Sequence, residues 1–185
     1  MNTYLRVMLA VIMMAASQQV LAQKLGYEQG DKTVQIGFGL GGSFYQGSVK
    51  VPALQIRYEY GIKEKFSIGG ILGYASSSYY YQNFNPTTGA VSEASLDYSY
   101  LIIGARGNYH FWTTEKFDPY AGLTIGYNSL NFTDTGGNLG TVPASSFTLY
   151  GAQVGANYYF KSNLGAWAEL GYGLGFLNLG AVFKF

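Results

Sequence analysis

The chain has 185 residues, 48% of them hydrophobic and 17% aromatic, with only 11% charged and a formal net charge of +1. Near-neutrality gives no electrostatic basis for binding nucleic acid, and the absence of cysteine excludes disulfides and thiolate metal sites. Charged residues fall far below the ~25% of ordinary soluble domains.

The first element, MNTYLRVMLAVIMMAASQQVLA, reads as a secretory signal peptide over residues 1–22. Arg6 closes a short basic region, Val7 to Ala16 is unbroken apolar sequence, and Val20 and Ala22 are small residues before a cut at Gln23. The run is too short for a spanning helix, which needs ~20 apolar residues. No cysteine follows it, so a lipoprotein anchor is excluded. Arg6 leaves with the signal, and the ten basic and ten acidic residues that remain cancel. Residues 23–32 form a periplasmic N-terminal lead.

From residue 33 onward the pattern is alternation. TVQIGFGLGGSFY (33–45) puts Val34, Ile36, Phe38, Leu40 and Phe44 on one face and mostly glycine and polar residues on the other. The same period of two marks strands at 53–60, 66–81, 97–111, 117–128, 146–160, 163–173 and 176–185. Connections after strands two, four and six are the short turns GIKEK, WTTEK and KS, whereas 82–95 and 129–145 are long. Eight strands with short turns at one end and longer loops at the other predict an all-β fold: an eight-stranded antiparallel transmembrane β-barrel, an up-and-down meander over residues 33–185. One face carries glycines with Arg57, Glu59, Arg106 and Glu169; the other carries large apolar residues and tyrosines. The first face suits a narrow lumen and the second suits lipid. The glycine runs GFGLGG and GYGLG precede no predicted helix, so they are not phosphate-binding loops.

The C-terminal strand FLNLGAVFKF alternates Leu177, Leu179, Ala181, Phe183 and Phe185 on one face. This ending, with the segments PYAGLTIGYN and AELGYG, resembles the small OmpA/OmpX-type outer-membrane β-barrel family. The resemblance implies a place in the cell outer membrane of a Gram-negative bacterium. It also implies that Phe183 and Phe185 form a terminal signal read by the outer-membrane assembly machinery. Membrane lipids are then the surroundings of the outward face.

The inward charges are the first candidate site. Arg106 and Glu169 each lie five residues above a periplasmic strand end, roughly 12 Å up at ~3.3 Å per residue and ~45° tilt. With Arg57 and Glu59 they form an expected lumen charge network, because isolated charges there would be costly and opposite signs satisfy one another. Tyr79, Tyr80, Tyr81, Tyr98 and Tyr100 flank the first long loop and are expected in an aromatic girdle at headgroup level. The single histidine, His110, falls beside a periplasmic turn, and no nucleophile–base pair, metal set or cofactor site emerges from the spacing. The expected function is therefore non-enzymatic, in envelope integrity or surface interaction through loops 82–95 and 129–145 with an unidentified extracellular partner. The alternatives are an outer-leaflet lipid A-modifying enzyme and, less favoured, a narrow small-solute pore.

Overall fold

Alternating sequence becomes a ladder when residues of one parity can all be buried together. In a computed structural model of the chain, the strands do this by closing on themselves. The structure describes residues 27–42, 45–84, 86–135 and 146–185. The signal segment, residues 23–26 of the lead and residues 136–145 of the second long loop lie outside the described residues.

Eight strands follow in order: β1 (Lys32–Leu40), β2 (Ser48–Lys63), β3 (Phe66–Phe84), β4 (Val91–His110), β5 (Phe117–Asp134), β6 (Phe147–Lys161), β7 (Leu164–Tyr172) and β8 (Leu177–Lys184). Each pairs antiparallel with the next, and β8 returns to β1 to close the barrel. Along that seam Val34 stands opposite Phe183 and Gly37 opposite Gly180. Phe185 exchanges backbone hydrogen bonds with Lys32 (2.9 and 3.2 Å), so the chain end is held by the sheet.

The barrel is apolar outside and polar inside. Leu123 is 70% exposed, Ile103 62% and Leu170 58%, whereas Gln35, Arg57 and His110 are almost completely buried. Outward aromatics bound this apolar band at both ends. Tyr74, Tyr127, Tyr150 and Tyr172 stand at its upper edge; Tyr60, Phe66, Tyr109, Phe117, Tyr158 and Phe160 stand at its lower edge. These rings occupy the girdle positions.

The tyrosines expected in the girdle sit elsewhere. Tyr100 is 1% exposed and packs inside the barrel, and Tyr98 stacks beside it on the same inward parity. Tyr79, Tyr80 and Tyr81 belong to β3 above the apolar band, with Tyr79 and Tyr80 exposed and Tyr81 hydrogen-bonded to Asp134. Flanking a loop in sequence placed them near the membrane only if β3 ended there, and it does not.

β3 and β4 stay in register without a shift from Phe66 opposite Tyr109 to Phe84 opposite Val91. Most of the expected 82–95 loop is therefore ladder, and β5 likewise runs on to Asp134. Above the apolar band both faces of the sheet meet water, so the apolar alternation fades. Tyr, Ser, Thr and Val still favour extended backbone, and cross-strand pairs keep the hairpin together. β2 also begins earlier than expected, at Ser48, and takes in Pro52 through register shifts between Val49 and Leu54.

Candidate functional site

Inward parity alone would line the lumen with polar groups at random heights; the sheared barrel sorts them into three tiers. The middle tier holds the charges. Glu169 on β7 receives Arg57 from β2 through two hydrogen bonds (2.8 and 2.9 Å) and Arg106 from β4 through one (2.7 Å). Tyr120 donates to the same carboxylate at 2.9 Å. Arg106 Nε lies 3.0 Å from Glu59 Oε1, an ion pair without hydrogen-bond alignment, and Asn108 donates to that oxygen at 2.8 Å. All four charged side chains are at most 4% exposed. Two guanidinium groups and two carboxylates thus meet in one cluster, and opposite charges at such distances offset part of their desolvation cost. Trp167 adds a face: the Arg57 guanidinium lies 4.0 Å from the indole centroid, in cation–π contact.

The lower tier lies at the mouth that carries the short turns. His110 Nδ1 is 2.8 Å from Asp118 Oδ1, and its Nε2 is 3.0 Å from Ser67 Oγ. Ser67 also donates to Glu59 at 3.2 Å, which joins this tier to the charges above. Tyr27, from the lead, stacks on the His110 ring with centroids 3.6 Å apart and is itself 3% exposed. Backbone bonds between Gly30 and Gly61 and between Gly61 and Asp31 hold the lead there, with Lys184 paired to Asp31 at 2.7 Å. Sequence spacing found no nucleophile–base pair, yet Ser67, His110 and Asp118 stand in contact. Ser67 and Asp118 come from different neighbours of β4. Parity showed that they face inward, but not that they share a height with His110. Ser67 is 2% exposed and the imidazole is roofed by Tyr27.

The upper tier was not legible in the sequence. Ala53, Ile71, Ala75, Tyr100, Ile102, Leu149 and Leu174 form an apolar layer across the barrel, backed by Tyr45, Tyr98, Leu130 and Phe147. Leu174 belongs to the tight β7–β8 connection, which turns inward, and its carbonyl accepts a hydrogen bond from Tyr45. Between this layer and the charges a cavity of about 20 Å³ remains, lined by Arg57, Ile71, Arg106, Leu149, Glu169 and Leu174. That is room for about one water molecule. The one available clue was that Ile71, Ile102 and Leu149 have inward parity, against the polar rule.

Above the barrel, β3, β4 and β5 continue as a raised sheet. On its outer face Asp97 accepts from Lys50 at 2.8 Å and from Ser78 and Ser95. The Lys50 and Ser78 hydrogen bonds hold the Asp97 pKa below the ordinary carboxylate value. β2 leaves β3 after Ser48 opposite Ser78, so Tyr79–Phe84 pairs with β4 and, among the described residues, with no strand on its other side.

No protein-family model matches the chain, and no curated protein matches it. Solved structures do. The outer membrane protein OprG from Pseudomonas aeruginosa matches with a TM-score of 0.66 at 13% identity, covering 86% of this chain and 98% of that one. Ail, the attachment invasion locus protein of Yersinia pestis, solved with the heparin analogue sucrose octasulfate, matches with a TM-score of 0.54 at 16% identity, over 85% of this chain and 99% of its own. The N-terminal β-barrel domain of Pseudomonas aeruginosa OprF gives 0.50 at 17% identity, over 86% and 99%. The fold is that of the small eight-stranded outer-membrane β-barrels.

Proposed function

We propose that this outer-membrane barrel is a non-enzymatic surface protein, a sealed scaffold that holds a raised β-sheet outside the cell for contact with an extracellular partner. The open edge of β3 at Tyr79–Phe84 carries the reading. Among the described residues its backbone pairs on one side only, Tyr80 and Phe84 are each 66% exposed, and the stretch YYYQNF contains none of the charges or prolines that blunt an edge strand. An unpaired edge is a template for an added strand from another polypeptide. Ail was solved with an anionic sugar analogue, but here the exposed cation at that end, among the described residues, is Lys50, already paired with Asp97.

The pore reading requires an open lumen, and the apolar tier above the charge cluster opposes it. The enzyme reading has one observation in its favour, the Ser67–His110–Asp118 contacts. They lie at the periplasmic end, buried beneath Tyr27, far from outer-leaflet lipid A. A deletion strain should keep its lipid A mass spectrum, and the purified barrel should show no discrete single-channel openings. Cells with the β3–β4 hairpin trimmed below Tyr79 should lose adhesion to a partner surface that the parent binds. A shifted acylation pattern, stable openings, or unchanged adhesion would each overturn the reading.

The terminal residues fit a biogenesis role. Phe183 and Phe185 share the outward parity of β8, and Phe185 closes the seam to Lys32. Deleting Phe185 should lower the amount of heat-modifiable barrel in the outer membrane. Undiminished assembly would remove the residue from that role.

A further inference from the structure

A glycine within a strand weakens it, and so needs a reason to be there. At all but two of the strand glycines the reason is inside the barrel: an added Cβ would come within 3.0 Å of a neighbouring atom. The exceptions are Gly70, whose nearest contact would be 3.6 Å from Gly104 O, and Gly107, at 3.7 Å from Ser67 O. Both have the outward parity of Leu72 and Tyr109, so a Cβ there would make only ordinary contact with its neighbours. What they shape is the outer surface.

On that surface Gly70 stands opposite Ala105, and Gly107 lies one row below, opposite Ile68 and Leu123. Together the three small residues leave a recess in the apolar band, rimmed by Tyr58, Leu72 and Ile103. Gly70, with Tyr58, Leu72 and Ile103, also lines a shallow, open apolar groove that extends across β1–β4 past Val34 and Ile56; Ala105 and Gly107 lie outside its lining. Gly70 sits four residues above the start of β3, roughly 10 Å above the periplasmic turn at ~3.3 Å per residue and ~40° tilt. The recess therefore lies in the inner-leaflet half of the band. At the lower end of the same two strands the β2–β3 turn presents Lys63, Glu64 and Lys65, all exposed, with two cations to one anion.

We propose that this groove holds one acyl chain of an inner-leaflet phospholipid, with its phosphate meeting Lys63 and Lys65. The proposal rests on the membrane reading of the outward face. A concave strip of CH-lined surface accepts a flexible hydrocarbon ridge, and the lysines match an anionic headgroup at the depth where one would lie. A second copy fits poorly. A two-fold interface sets the same patch against itself, and recess against recess would leave a void.

The test uses the full mature barrel refolded into phosphatidylethanolamine–phosphatidylglycerol vesicles, extracted in mild detergent and weighed by native mass spectrometry. The parent should retain one phospholipid. Gly70→Leu/Gly107→Leu, which fills the recess without an internal clash, should lose that peak at least tenfold while keeping heat-modifiable migration. Lys63→Ala/Lys65→Ala should lose it at lower activation energy than the parent. If the double leucine variant fails to assemble, Gly70→Leu alone carries the comparison. Equal retention by parent and filled variant overturns the groove, as does a parental dimer that the leucines abolish. A parent that inserts into vesicles but retains no lipid also overturns the groove alone. A parent that stays soluble without detergent overturns the membrane reading itself.

Discussion

Glu169→Ala should lower the unfolding free energy by about 3–5 kcal/mol, the usual cost of removing one partner from a buried ion pair. Here one carboxylate accepts four hydrogen bonds: two from Arg57, one from Arg106 and one from Tyr120. Removing it leaves two guanidinium groups facing one remaining carboxylate, Glu59, in a space almost without solvent. Arg57 keeps Gln55 and the Trp167 face, and Arg106 keeps Glu59, so the barrel is weakened rather than abolished. Urea unfolding of the refolded barrel measures the loss. Adding Arg106→Met should restore part of it, because the tier again balances one cation against one anion. An unchanged urea midpoint for Glu169→Ala would mean that the cluster contributes nothing to stability.

Closing the barrel should be equally sensitive at a point with no charge at all. Gly37 and Gly180 face each other across the β1–β8 seam, and Trp167 lies over both. A Cβ on Gly37 would meet the Leu179 carbonyl and stand 2.6 Å from Trp167 Cζ2; one on Gly180 would meet the Ile36 carbonyl and stand 2.7 Å from Trp167 Nε1. The indole has little freedom to move away. Its N–H donates to Ala181 O at 3.1 Å and Arg57 covers its other face. Overpacking a well-filled interior usually costs about 1–3 kcal/mol, and backbone carbonyls on the hinge of the seam put Gly37→Val at or above the top of that range. The expected result is a sharp fall in the heat-modifiable fraction and in the urea midpoint. Gly70→Val, with nothing nearer than 3.6 Å to its Cβ, should change neither by much. Equal effects at the two positions would show that strand propensity, and not closure, governs both.

The sequence by itself determined how many strands there are and which way the residues of each regular alternating stretch face, because side-chain parity is a local property of extended backbone. Arg57, Glu59, Arg106 and Glu169 could be assigned to the lumen on that ground, and Ile36, Leu72 and Ile103 to the outer surface. Height and partnership were decided only by the tertiary structure. Whether Ser67 meets His110, or Arg106 meets Glu169, depends on strand tilt and stagger summed around a closed sheet, and no segment carries that sum. The same holds for Tyr27 entering the mouth beside the short turns and for Leu174 folding inward from the four-residue β7–β8 connection to complete an apolar layer. Strand ends were also beyond local reading. Apolar alternation reports where a strand meets lipid, and β3, β4 and β5 outlast that contact, carried on by their pairing with one another. Tyr100 lies inside the barrel because it shares the inward parity of Ile102 and Arg106; at the strand ends, the apolar pattern marks the edge of the membrane, while the hydrogen-bonded ladder marks the edge of the fold.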